Sequence, residues 1–153
     1  MDIKDPEILG LIEELDRARE SWIHGRTEKP GTDVMVQGAD MTIFGPFGGE
    51  LVSNSPELER RQEAISAKFR GGTGRSEVAS VMREGNLVVI VLLERNTVLF
   101  EGKTEPQPFV LRTTQVFRKD GERWLRLHRH ADPLIDRRSF ETTLEIAAGK
   151  LGG

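Results

Sequence analysis

The chain contains no cysteine and no tyrosine. The first absence excludes disulfides, thiolate metal sites and thiol nucleophiles; the second removes the phenol as an acid or oxyanion donor. Basic residues are not in surplus either. Lys and Arg number 22 against 25 Asp and Glu, for a net charge of -3, so nucleic acid is not an expected partner. The longest apolar run, Leu87 to Leu93, falls far short of the roughly 20 residues that cross a bilayer, and no membrane association is expected. Met1-Asp-Ile-Lys-Asp-Pro-Glu7 has neither a basic n-region nor an apolar h-region. A cytoplasmic location is the expectation.

What is present is an ordinary globular composition, 31% charged and 37% hydrophobic over 153 residues. That length predicts a single domain over 1–153 with its own core. Asp5-Pro6-Glu7 supplies an N-cap, a Pro at the first helical position and an early acid. Ile8, Leu11, Ile12, Leu15, Ala18, Trp22 and Ile23 then recur at helical spacing up to Gly25. Lys29-Pro30-Gly31 breaks the chain before a short helix expected around Asp33 to Gln37, and Met41 to Phe44 reads as a short strand. Ser55-Pro56-Glu57 opens a second helix, with Leu58, Gln62, Ile65 and Phe69 on one face. The glycine-rich stretches Gly45 to Gly49 and Gly71 to Gly74 read as turns, since neither continues into the Lys-Ser or Lys-Thr of a phosphate loop.

Four β-prone runs follow: Glu77 to Arg83, Leu87 to Phe100, Phe109 to Arg118 and Arg123 to Ala131, the last two joined across Asp120-Gly121. Helices first and a meander of long strands afterwards predict the α+β class, with one face of an antiparallel sheet packed on the helices. Residues 134–153 form a polar, partly helix-prone tail behind a core of about 6–133.

Trp22-Ile-His-Gly25, Thr42-Ile-Phe-Gly-Pro-Phe-Gly-Gly49 and the ordered set Leu111-Arg-Thr-Thr114, Phe117, Asp120-Gly121, Trp124 and His128-Arg-His-Ala-Asp132 together resemble the SnoaL-like branch of the nuclear transport factor 2-like superfamily (cystatin-like fold). The resemblance implies a cone-shaped roll, in which a strongly curved sheet wraps a helix and leaves a pocket at its open end. It also implies a homodimer formed through the outer sheet face. Ketosteroid isomerases of this superfamily place an Asp base before a Pro-Phe-Gly run and use a Tyr donor. Here Gly45 precedes Pro46-Phe47-Gly48 and no Tyr exists. Thr113 falls near the second donor's place, so that mechanism is not expected.

The strand period of two sets Leu125, Leu127, Arg129 and Ala131 against Trp124, Arg126, His128 and His130. With the leucine side inward, Arg129 enters the pocket as an anion or carboxylate anchor. The competing reading is a salt bridge to Glu94 or Glu77. Thr113 and Gln115 share parity with Leu111 and Phe117, and would orient a polar substituent or satisfy each other. Trp22, Phe44 and Phe109 would wall the cavity around a small hydrophobic or carboxylate-bearing ligand. No cofactor is expected. His128 and His130 at i, i+2, with Asp132 or His24, are the only metal-like grouping, and hydrogen bonding across a sheet or interface is the simpler use. Two other functions stay open. One is acid–base catalysis on a hydrophobic carbonyl compound, with Asp40, Asp132, Glu77, Glu94 or His24 as base. The other is a non-catalytic association module, like the calcium/calmodulin-dependent kinase association domain, whose final strand also carries His-x-His. A single β-bulge would exchange the two faces.

Overall fold

The computed structural model describes residues 2–25 and 35–149. Helix α1 (Pro6–Ile23) starts where the Asp5 side chain accepts from the Glu7 N–H at 3.0 Å. Arg83, on β3 (Phe69–Glu84), clamps that first turn to the sheet through Asp5 at 2.7 Å and Glu7 at 2.8 Å. The remaining elements are β1 (Met35–Phe44), β2 (Val52–Ser53), α2 (Pro56–Ser66), β4 (Leu87–Phe100), β5 (Gln107–Asp120), β6 (Arg123–Pro133) and α3 (Phe140–Ala147). Six strands form one curved open sheet in the order β2-β1-β6-β5-β4-β3. Strands β3 to β6 are the expected antiparallel meander, whereas β1 runs parallel to β6 and makes the sheet mixed.

Strand β4 shows the cause of this layering most plainly. Its even-numbered residues Val88, Ile90, Leu92, Glu94, Asn96 and Val98 are buried, and the odd-numbered ones are more open. The buried row meets Ile8, Leu11 and Leu15 of α1, together with Phe117 and Trp124, in the main core. A second cluster joins Ile23, Phe69 and Val98, with Trp22, Phe100 and Phe109 packed on it. These rings meet edge to face, Trp22 on Phe69 at 4.5 Å between centroids and Phe69 on Phe109 at 5.8 Å.

Three local expectations differ from what forms. Met35, Val36 and Gln37, expected to end a short helix, belong to β1, while the rest of that segment, including Asp33, lies outside the described residues. Gly71 to Gly74 is not a turn but the bulged start of β3, with the register shifting between Phe69 and Gly72. Gly72 has φ +148 and packs so closely on Thr97 O that a Cβ there would collide with it. Phe69 leaves the α2 face to which its spacing assigned it, and begins β3.

The third strand pair carries the largest consequence. Val116 pairs with His128 but Phe117 pairs with Arg126, so Leu127 is an extra residue on β6. The inward set therefore changes parity along the strand: Trp124 is buried in the core, and Arg129 and Ala131 face inward beyond the bulge. The leucine-face expectation holds for Arg129 and Ala131. It fails for Leu125, whose neighbour Trp124 takes the core position.

Candidate functional site

The inner face of β4, β5 and β6 carries an unusual density of polar side chains. Thr113, Gln115, Glu94 and Asn96 are all buried there. Arg129 reaches from β6 across β5 to Glu94 on β4 and donates to both carboxylate oxygens, at 2.6 and 3.0 Å. A bidentate, desolvated pair of this kind fixes both side chains. Burial pushes the Glu94 carboxyl up, but attraction to Arg129, its hydrogen bonds and the fields of Arg19 and Arg126 outweigh that and hold it below its usual range. For Arg129 burial acts to lower the pKa and Glu94 more than offsets it, leaving the guanidinium pKa raised. Arg126, stacked 5.7 Å over the Phe117 ring, is pushed down to about 9, first by burial and then by Arg129. It still carries its charge at neutral pH.

Beside this pair, the Thr113 hydroxyl donates to Leu92 O at 3.3 Å and accepts from Gln115 Nε2 at 3.5 Å. Gln115 is only 1% exposed, and its Oε1 has no hydrogen-bond partner. A buried carbonyl left without a donor costs about 1–3 kcal/mol.

Thr113, Gln115 and Arg129 thus converge on one inner patch. Trp22 and Phe109 stand together in the neighbouring aromatic cluster. Phe44 does not join them. It is 38% exposed and its ring lies 5.3 Å from His130 and 6.0 Å from His128, on the opposite side of the sheet. The parallel register that sets Phe44 beside His130 is the reason, and nothing in the local sequence encodes it. The carboxylate-anchor role of Arg129 is also altered: both arms of its fork are committed to Glu94, the competing reading given above. From the sequence, Glu94 stands as that salt-bridge acid, as a base or as an acid near the histidine pair, and Asn96 has no expected role. The even-numbered burial period of β4 was the signal available for both.

His128 and His130 lie on the outer face, as their parity against Arg129 requires. Thr42 Oγ1 and His128 Nδ1 share a hydrogen bond at 2.8 Å, and His130 Nε2 is 3.3 Å from Asp132. Among the described residues no group of three or more His, Asp or Glu could hold a metal ion. Of the acids considered as bases, Glu77 is exposed and bound by Arg95 at 2.7 Å, and Asp132 is on the outer face beside Arg112. His24 sits at the end of α1, where its Nδ1 is 2.8 Å from Glu20 O.

Comparison with known families decides the affiliation: the SnoaL-like domain model matches residues 32–136. The chain belongs to the SnoaL-like family. Solved structures agree on the fold. A nuclear transport factor 2-like superfamily protein from Salmonella enterica serovar Typhimurium superposes with a TM-score of 0.70 at 15% identity, covering 88% of this chain and 96% of that one. The calcium/calmodulin-dependent kinase II hub of S. rosetta gives 0.64 at 18% identity, with 88% and 99% covered. A candidate dehydratase of the same superfamily from Streptomyces avermitilis gives 0.62 at 18% identity, with 84% and 99% covered. No curated protein sequence matches this one. Among the described residues no helix is long and apolar enough to cross a membrane.

Proposed function

We propose that this SnoaL-like protein binds a small, mainly apolar molecule at the inner patch formed by Thr113, Gln115 and the Glu94–Arg129 pair. The observation that carries the reading is Gln115 Oε1, buried and without a donor. It calls for a ligand with a hydroxyl or amide N–H, whose apolar remainder meets the Trp22, Phe69 and Phe109 rings. A carboxylate-bearing ligand fits less well, because it would have to displace Glu94 from Arg129. Acid–base turnover is also less favoured: a carboxylate held low by an arginine is a weak base.

Thermal-shift screening of hydroxyl-, amide- and carboxylate-bearing aromatic and aliphatic compounds tests this. Shifts given by donor-bearing compounds should vanish in Gln115→Ala, which removes the acceptor. If those shifts persist undiminished in Gln115→Ala, the patch is not the binding site.

The outer sheet face supports a second component, pairing with another copy of this chain. Val89, Val91, Leu93 and Val116 form a half-buried apolar centre there, flanked by Phe44 and the two histidines. Such a stripe on an open sheet face is suited to a matching surface.

A further inference from the structure

The ladder between β1 and β6 is interrupted at one point. Gln37 pairs with Arg126 and Thr42 with His128, so Gly38 to Met41 stand opposite Leu127 alone. Asn54, just after β2, holds this detour: its Nδ2 donates to Gly38 O at 3.0 Å and its backbone N–H to Met41 O at 2.8 Å. A Cβ on Gly38 would stand 2.9 Å from Arg126 O, so glycine is what lets β1 leave the ladder so close to β6.

Register puts the side chains flanking the detour on the inner face. Gln37, Arg126 and Phe117 form one row across β1, β6 and β5, and Phe117 belongs to the main core. Ile43, Arg129 and Gln115 form the next row. The core itself is closed, with Phe117 0% exposed, whereas Gln37, Arg126 and Arg129 are only half-buried. Solvent therefore reaches the inner face along this line, beside Gln115.

Two acceptors flank that opening. Gln37 Oε1, like Gln115 Oε1, is buried and accepts no hydrogen bond. The Arg126 guanidinium lies over the Phe117 ring at 5.7 Å instead. The two glutamines stand on either side of β6, two strand spacings across and one inward step along, which sets their Cα atoms roughly 12 Å apart. On the concave side of a curved sheet their carbonyls come closer than that. What both carbonyls lack is a donor, and the guanidinium groups of Arg126 and Arg129 on the same line oppose an ammonium. Neutral hydroxyl or amide N–H groups remain.

We propose that Gln37 is a second contact residue of the inner patch, and that the ligand there is a neutral compound with two hydrogen-bond donors, such as a diol, spanning β6 from Gln115 Oε1 to Gln37 Oε1. This rests on the Gln115 reading and narrows it, from a ligand with one donor to a ligand with two at a set separation.

The probes are 1,4-butanediol, 1,6-hexanediol and 1,8-octanediol, with the 1-alkanols of matching length as single-donor controls. Each is titrated into the full chain and followed by ligand-observed NMR. Gln37→Met keeps the length of the side chain and removes its acceptor. It should weaken the best-fitting diol roughly two- to tenfold, the scale of one neutral hydrogen bond, and leave the matching alkanol unchanged. Gln115→Ala should weaken both. No binding of any diol, no effect of Gln37→Met, or an equal effect on diol and alkanol would each overturn the proposal. In those cases, alkanols that still lose affinity in Gln115→Ala leave the single-donor reading standing. Alkanols untouched by Gln115→Ala remove both.

Discussion

Glu94 and Arg129 sit on strands separated by β5, and neither residue's neighbours in sequence indicate the pairing. Desolvating two charges is costly, and the fork geometry recovers that cost only while both partners are present. Glu94→Gln, which strands a buried guanidinium, should therefore lower stability by about 3–5 kcal/mol in urea unfolding. Replacing both residues, Glu94→Leu with Arg129→Met, should restore most of the loss. The carboxyl also sets a pH dependence. Its pKa is lower in the folded protein than in the unfolded chain, so its contribution is complete above the ordinary carboxylate range and disappears as pH falls through the folded value. Unfolding curves between neutral and acid pH should show the wild type losing this increment, and Glu94→Gln should show a correspondingly shallower decline. Composition and parity brought Arg129, Thr113 and Gln115 to the inner face. That Glu94 would occupy Arg129 could be framed in advance only as one of two options, because it depends on reach across three strands.

At the scale of elements, helix caps and the period of β4 and β5 follow directly from local chemistry: Asp5 and Ser55 cap the helices their sequences announce. The β6 strand does not follow so simply. Leu127 adds one residue opposite β5 and moves the inward side from Trp124 and Arg126 to Arg129 and Ala131. Deleting Leu127 would restore an unbroken period of two that keeps Trp124, Arg126, Arg129 and Ala131 on one face, the same inward set the bulge now produces. The expected result is a deletion variant that retains its near-UV circular dichroism and a cooperative thermal transition. Loss of that transition would show that the extra residue is needed for more than the inward set. The glycine tract makes the same point: Gly71-Gly72-Thr73-Gly74 resembles a turn until Thr97 and Asn96 are seen pressed against it.

For the whole molecule, the sheet has one face filled by α1 and another without cover among the described residues. The half-buried apolar residues Val89, Val91, Leu93 and Val116 on that second face would supply the driving force of the proposed dimer, and a single charge at their centre should abolish it. Val91→Lys is expected to shift sedimentation from dimer to monomer without lowering the thermal midpoint of the monomer by more than about 0.5 kcal/mol equivalent, as for other surface changes. Wild type sedimenting as a monomer across concentrations would remove the outer-face reading while leaving the Gln115 patch untouched. Among the described residues helix α3 also lacks cover, with Phe140 71% exposed.

The amino-acid sequence by itself determined the α+β class, most strand and helix positions, the membership of the SnoaL-like family and the exclusion of thiol and phenol chemistry. These depend on residue type and short-range period, which a chain carries whatever it packs against. Only the tertiary structure decided that Phe44 stands with the histidines, that Arg129 is bound to Glu94 and that the glycine tract is a bulged strand start pressed against Thr97 and Asn96. Each of those rests on which strands lie side by side and in what register, and a bulge of one residue is enough to change it.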